Sequence, residues 1–249
     1  MIVLKSVEEL KKMRAAGRIS QKALRLAGEA VEPGVTTLEL DAIVRKYIEE
    51  QGAIPSFLGY GGFPASACIS VNNVVIHGIP SGSCVLKQGD IVSIDVGACL
   101  DGFHGDNAWT FPCGDISKDA QRLLDTTREA LFEGINAARK GNRVGDIGHA
   151  VSQYAELRSY SVVRDFTGHG VGAKLHEAPN VPNYGTPGRG AALLPGMAIA
   201  IEPMINMGTH KVRVLRDKWT TVTADGKLSA HFEHTVAITP DGPVILTAD

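Results

Sequence analysis

The sequence has no HExxH, no Walker phosphate loop and no GxSxG elbow, so zincin, nucleotide-hydrolase and serine-hydrolase readings lack their main supports. Its four cysteines, Cys68, Cys84, Cys99 and Cys113, form no CxxC pair. In a chain of 249 residues they read as reduced thiols in a cytoplasmic setting, not as a disulfide framework. No apolar run approaches a bilayer span, and Met1-Ile-Val-Leu-Lys5 is too short for a signal core before polar helical text begins. Charge of one sign is also missing. The 25 basic and 27 acidic residues leave a net −2, which makes no electrostatic case for nucleic acid or an anionic membrane. What is present is a globular composition, 44% hydrophobic and 21% charged, long enough to bury its own core.

Ser6-Val-Glu-Glu9 has the form of a capping box, and Leu10, Met13, Gly17, Leu24 and Ala27 follow at helical spacing until Glu32-Pro-Gly34. A second helix is predicted from Thr36-Thr-Leu-Glu39, with Leu40, Ile43, Val44, Tyr47 and Ile48 on one face, to Gln51-Gly52. Strand-like text fills 66–78, 91–99 and 103–111. Helical pattern returns at 117–140 and 146–158, and strands dominate thereafter. The order therefore repeats. Aligning Gly34 with Gly141 sets Leu40 against Ile147, Ile43 against Ala150, Val44 against Val151 and Tyr47 against Tyr154, a match that any two amphipathic helices could also give. A duplication predicts one α+β unit of two pseudo-symmetric halves, about 1–114 and 115–249, with strands inside, helices outside and a ligand cleft between them.

Asp95 interrupts the apolar run Ile91–Gly97, and a buried acid needs a cation or strong donors. Asp101-Gly102 is a two-residue hairpin signal. If residue 100 faces 103, then 95 faces 108 and 97 faces 106, so Asp95 and Asp106 share one sheet face as diagonal neighbours. The competing reading, a solvent-facing pair in a polar hairpin, sits poorly with the Ile, Val and Gly around Asp95. Glu202 and Glu233 lie in similar strand contexts, where either alone could be an edge residue. His169 sits between glycines in Gly168-His-Gly170, where a bare backbone would allow close approach to a metal or substrate. One nitrogen with several carboxylates suits Mn, Fe, Co or Zn over Mg or Ca. His77 and His176 are candidates of the same kind, each, taken singly, more readily structural than catalytic. His231 and His234 flank Glu233 closely enough to support it, and His104, His149 and His210 stay unassigned.

Taken together, Cys68-Ile-Ser-Val-Asn72 through His77-Gly-Ile-Pro80, Asp95-Val-Gly97, Gly105-Asp106, Thr167–Gly172, His176-Glu177, Ile201-Glu-Pro203 and Phe232-Glu-His-Thr235 resemble the bacterial, type I methionine aminopeptidases. The resemblance covers essentially the whole chain and implies an α+β pita-bread fold, a pseudo-two-fold duplicated unit with an inner antiparallel sheet and outer helices. It also implies metal-dependent removal of the initiator methionine from nascent proteins, favouring a small second residue. By the same resemblance Asp95, Asp106, His169, Glu202 and Glu233 ligate two divalent ions (Co, Mn, Fe, Zn or Ni), with Asp106 and Glu233 bridging. Glu202 is then the general base, while His77 and His176 contact substrate. Tyr60, Phe63, Cys68, Leu175 and Trp219 would line the methionine pocket, and Asn72, Val74 and Ser229 a sodium or potassium site.

Phe57, Ala173 and Leu175 depart from the family pattern, which leaves pocket shape less determined than chemistry. The likeness is to the short form with no N-terminal extension, a cytoplasmic monomer acting on peptide and nascent-chain N-termini, with room for a transient ribosome contact. Two rivals stay open: an X-Pro aminopeptidase or dipeptidase of the same fold, and a non-enzymatic pita-bread binding protein.

Overall fold

The computed structural model describes residues 1–248. Four helices form where the caps and periodicity place them: α1 (Val7–Glu29), α2 (Thr37–Glu50), α3 (Lys118–Ala137) and α4 (Val144–Glu156). The capping box expected at Ser6 is made, and a second forms at Thr36. The Ser6 and Thr36 hydroxyls each accept the N–H of the glutamate three residues on, and that glutamate accepts the cap residue's own N–H. α4 begins two residues earlier than its apolar pattern suggests, where Asp146 accepts the Arg143 N–H, one half of a capping box, since a guanidinium has no atom that could accept in return.

The centre is an antiparallel sheet of nine strands. Along its main path run Ile54–Pro55, Ile91–Leu100, Phe103–Pro112, Glu233–Thr239, Ala198–Ile201, Gly168–Gly170 and Glu177–Val181. Ala67–Val71 also pairs with the 91–100 strand and Gly242–Ile245 with the 233–239 strand. The hairpin closes at Asp101-Gly102, both with positive φ, and sets Leu100 against Phe103, Gly97 against Asp106 and Asp95 against Ala108, the expected register. Two cores result. Leu40, Val44 and Ile48 of α2 pack with Ile69, Val92, Ile94 and Val96, while Leu123 and Leu131 of α3 and Ile147 and Val151 of α4 pack with Ile199, Ile201 and Val236. Trp109 touches both cores.

The pseudo-two-fold is written in backbone hydrogen bonds. The Thr37 N–H donates to Cys84 O and the Leu86 N–H to Val35 O. Advancing every residue by one common step gives Val144 N–H to Ala191 O and Leu193 N–H to Asn142 O, both also made. Gly34 and Gly141, aligned by that step, have φ of 99° and 97°, and Gly89 and Gly196 have 91° and 92°. The same step carries Asp95 onto Glu202. Where the halves meet, the 103–112 and 233–239 strands pair directly only at Ala108–Glu233 and Asn107–His234. On either side a threonine hydroxyl completes the ladder. Thr235 Oγ1 accepts the Asp106 N–H at 3.1 Å and donates to Asp106 O at 2.7 Å. Reciprocally, Thr110 Oγ1 accepts the His231 N–H at 3.0 Å and donates to His231 O at 2.8 Å.

α1 can lie on the hairpin because both surfaces are bare. A Cβ at Gly105 would fall 2.4 Å from the Gly17 Cα, so no side chain fits between them. Gly105→Ala is therefore expected to lift the helix and destabilise the protein by about 2–3 kcal/mol, read as a lower urea midpoint. An unchanged midpoint would mean that the helix shifts freely.

Candidate metal centre and its cavity

Five neighbouring strands of the central sheet each bring one candidate ligand to the same face. In sheet order these are Asp95, Asp106, Glu233, Glu202 just past the end of its strand, and His169. Asp106, His169 and Glu233 offer atoms that all lie within 4.8 Å of one another. The His169 Nε2 is 3.8 Å from Asp106 Oδ2 and 3.5 Å from Glu202 Oε1. Its Nδ1 lies 2.9 Å from the Gly170 carbonyl, which can only accept, so the ring proton sits there and the Nε2 lone pair faces the carboxylates. Burial, then neighbouring His176, pushes the His169 pKa down to about 3, so those separations are not ion pairs.

The acids are stressed in the opposite direction. Burial, reinforced by the charge of Asp106, holds Asp95 well above the usual carboxylate range. Burial raises Asp106 to about 7. Glu202 and Glu233 are also raised well above normal, by burial first and then by their acidic neighbours. Asp95 Oδ1, Asp106 Oδ1 and Glu233 Oε1 are sealed from solvent with no hydrogen-bond partner. Lone pairs converging on one another without donors are what a cation would satisfy, so these residues fit divalent metal. The donor set, one imidazole nitrogen with carboxylate oxygens, fits a first-row transition ion.

The glycines beside His169 serve a purpose the sequence did not reveal. A Cβ at Gly168 would stand 2.3 Å from Ala200 O, and one at Gly170 2.4 Å from Ala178 O. They let the short strand fit between two others, which fixes the imidazole. His234 does not stand where its closeness to Glu233 in the sequence suggests. Alternation turns it to the reverse face, where its Nδ1 lies 2.9 Å from Thr247 Oγ1, so it cannot support Glu233 from the ligand side. Buried His231 has an Nε2 with no partner, and its pKa is pushed down to about 3 by burial and by His77.

Above the ligands opens a cavity of about 340 Å³. The structure gathers all the expected pocket residues there: Tyr60, Phe63, Cys68, Leu175 and Trp219, together with His77 and His176. Phe57, a departure from the family pattern, packs with Phe63, Cys68 and Leu175 in a small apolar cluster. Ile76, Phe166 and Thr167 also line the cavity, unnamed from sequence although they adjoin His77 and the Gly168–Gly170 segment. Cys68 is paired with Asp95 across the sheet, and burial, then that charge, holds its thiol protonated. The His176 Nδ1 is 2.8 Å from the Tyr60 hydroxyl, and the two rings stack. His77 has a φ of 57°, unusual for a residue with a side chain, and its ring meets Phe166 and Trp219 edge-on. Burial lowers its pKa to about 4. Away from the cavity, Asn72 and Ser229 adjoin, the Ser229 N–H donating to Asn72 O at 2.9 Å, with Val74 two residues on.

Comparisons with known proteins agree with this geometry. The model of metallopeptidase family M24 matches residues 11–240. A methionine aminopeptidase of Clostridium perfringens is 58% identical over 247 residues, covering 99% of both chains. Methionine aminopeptidase 1 of Bacillus subtilis is 53% identical over the same shares. The solved methionine aminopeptidase of Thermotoga maritima superposes with a TM-score of 0.98 at 43% identity, with all of both chains covered. A prolidase from Pyrococcus furiosus, at 23% identity and a TM-score of 0.79, shares the fold alone.

Proposed function

The chain belongs to metallopeptidase family M24, among its methionine aminopeptidases, and from that premise we propose how its cavity removes an N-terminal methionine. It is a metal-dependent aminopeptidase of the pita-bread fold that acts on peptide N-termini. The observation that carries the assignment of residues is the row of five adjacent strands, each bringing one candidate ligand to a shared centre where three carboxylate oxygens have no hydrogen-bond partner. Asp95, Asp106, Glu233, Glu202 and His169 would together hold a pair of divalent ions. Bound cations supply Lewis acidity toward the scissile carbonyl.

The protein's own groups do the rest. The Glu202 carboxylate takes the proton of the attacking water and returns it to the leaving amine. With the Tyr60 hydroxyl donating to its Nδ1, the His176 Nε2–H faces the cavity and donates to the oxyanion. His77, held by Phe166 and Trp219, orients the peptide beyond the cleaved bond. Phe63, Cys68, Leu175 and Trp219 enclose the thioether, a soft chain suited to an aromatic-lined pocket. Asn72, Val74 and Ser229 are read as a lesser, monovalent cation site. The whole chain is read as one catalytic domain whose first half, about 1–114, gives two of the ligands and whose second half gives three. Among the described residues no helix is long and apolar enough to cross a membrane. A cytoplasmic monomer, meeting nascent chains at the ribosome, is the setting we propose.

His176→Ala is expected to lower kcat by about 10² to 10³ with little change in KM. A rise in KM alone would make it a binding residue. The reading as a whole is tested by counting divalent metal per chain and comparing cleavage of Met-Ala-Ser with X-Pro peptides. Two ions and selective methionine release are expected. Cleavage of X-Pro bonds, or full activity without divalent metal, would overturn it.

A further inference from the structure

Asn107 and His234 are cross-strand partners, each one peptide bond from a centre carboxylate, Asp106 and Glu233 respectively. Alternation points both to the reverse face of the sheet, where they line a second cavity of about 380 Å³ beneath α1. Asn107 is 1% exposed, yet its Oδ1 has no hydrogen-bond partner. Such a group is costly to leave unpaired, and it marks a place for a donor.

His234 offers the complementary function. Thr247 Oγ1 accepts the Thr235 N–H at 3.2 Å and lies 2.9 Å from His234 Nδ1. Its own proton has no other acceptor among the described residues, so it donates to Nδ1, and the imidazole proton sits on Nε2. That Nε2–H has no protein acceptor among the described residues and borders the cavity. Leu24, Trp109 and Phe111 supply the apolar and aromatic part of its lining. Arg25 also lines it, about half exposed and held only by a solvent-exposed ion pair with Glu29, Nε to Oε1 3.6 Å, too long for a hydrogen bond and weak enough to exchange.

We propose that this cavity is a second ligand site, back to back with the catalytic one, that takes a small flat aromatic acid carrying a hydroxyl at the end opposite its carboxylate. The ring lies against the apolar lining of Leu24, Trp109 and Phe111. The hydroxyl donates to Asn107 Oδ1 and accepts from His234 Nε2–H, and the carboxylate pairs with Arg25. This arrangement does not rest on the assignment of metal ligands, and its test does not read catalysis.

The probe is 4-hydroxybenzoate, titrated calorimetrically into the metal-loaded and the chelated protein, beside benzoate, which lacks the hydroxyl, and phenol, which lacks the carboxylate. One molecule per chain is expected to bind both forms alike, with each control about tenfold weaker, the worth of one charge-assisted or otherwise unmade hydrogen bond. Arg25→Ala should erase the advantage over phenol, and Gln21→Trp, filling the cavity from half-buried helix surface, should abolish binding. Each variant's melting temperature reports whether it folds, and Arg25→Ala, on an exposed face, keeps the test open if Gln21→Trp does not fold. Absence of saturable binding at millimolar probe, benzoate binding as well as 4-hydroxybenzoate, loss of binding on chelation, or binding that ignores Arg25→Ala or survives a folded Gln21→Trp would each overturn the proposal.

Discussion

Glu202→Gln is expected to give a folded protein whose kcat on Met-Ala-Ser falls by about 10³, the effect of removing a positioned general base. The replacement keeps shape and volume, and the hydrogen bond from Asn183 Nδ2 goes to the Glu202 backbone carbonyl, so the local chain has no reason to move. An amide can neither take the water's proton nor return it to the amine. Metal content measured on the same sample separates two roles. A full complement of ions with lost turnover identifies the base, and loss of an ion identifies a ligand first. Turnover near that of the unaltered enzyme would remove Glu202 from the chemistry.

Stripping divalent metal should abolish turnover and also change how stability responds to pH. In the chelated protein burial raises the centre carboxyls, Asp106 to about 7 and Asp95, Glu202 and Glu233 well above their usual range. A folded state that holds protons the unfolded chain has released loses stability as pH rises, by up to about 1.4 kcal/mol per pH unit for each such carboxyl. Below about 6.5 the buried histidines His77, His169, His231 and His234, all pushed down, act in the opposite sense, because the unfolded chain then binds the extra protons. The clean window therefore starts near 6.5 and runs upward past 7. Between pH 6.5 and 8 the chelated protein should melt at progressively lower temperature, while the reloaded protein, its carboxylates held ionised, should not. Parallel curves for the two forms would sink the assignment of these acids to a cation.

The centre was largely legible in the sequence because acids inside apolar strand text are rare enough to demand a reason, and Asp101-Gly102 fixes a register that can be counted outward. Asp95 and Asp106 follow from that count. The convergence of Glu202, Glu233 and His169 does not, since strand order depends on pairings between distant segments, and there the family likeness supplied what spacing could not. The helices follow from caps and periodicity, with α4 starting earlier because its cap is a single hydrogen bond from the Arg143 N–H to Asp146, which has no standard signature. Nearness along the chain suggests His234 as a support for Glu233, but strand alternation sets it on the reverse face, against Thr247. Nothing local foretold the Thr110 and Thr235 bridges or the cavity behind the sheet. Both arise where the two halves touch, a relation between residues more than a hundred positions apart.

Those two threonines have a meaning for the molecule's ancestry. Each hydroxyl grips both backbone groups of one residue in the other half, and the two grips are related by the same rotation that relates the helices. Self-complementary contact of this kind, patch i on patch j and j on i, is the signature of an isologous dimer interface. A half-length progenitor that paired with its own copy would have joined along this line and set its carboxylates face to face across the axis, so the chemistry would have begun at a boundary between subunits before one gene carried both.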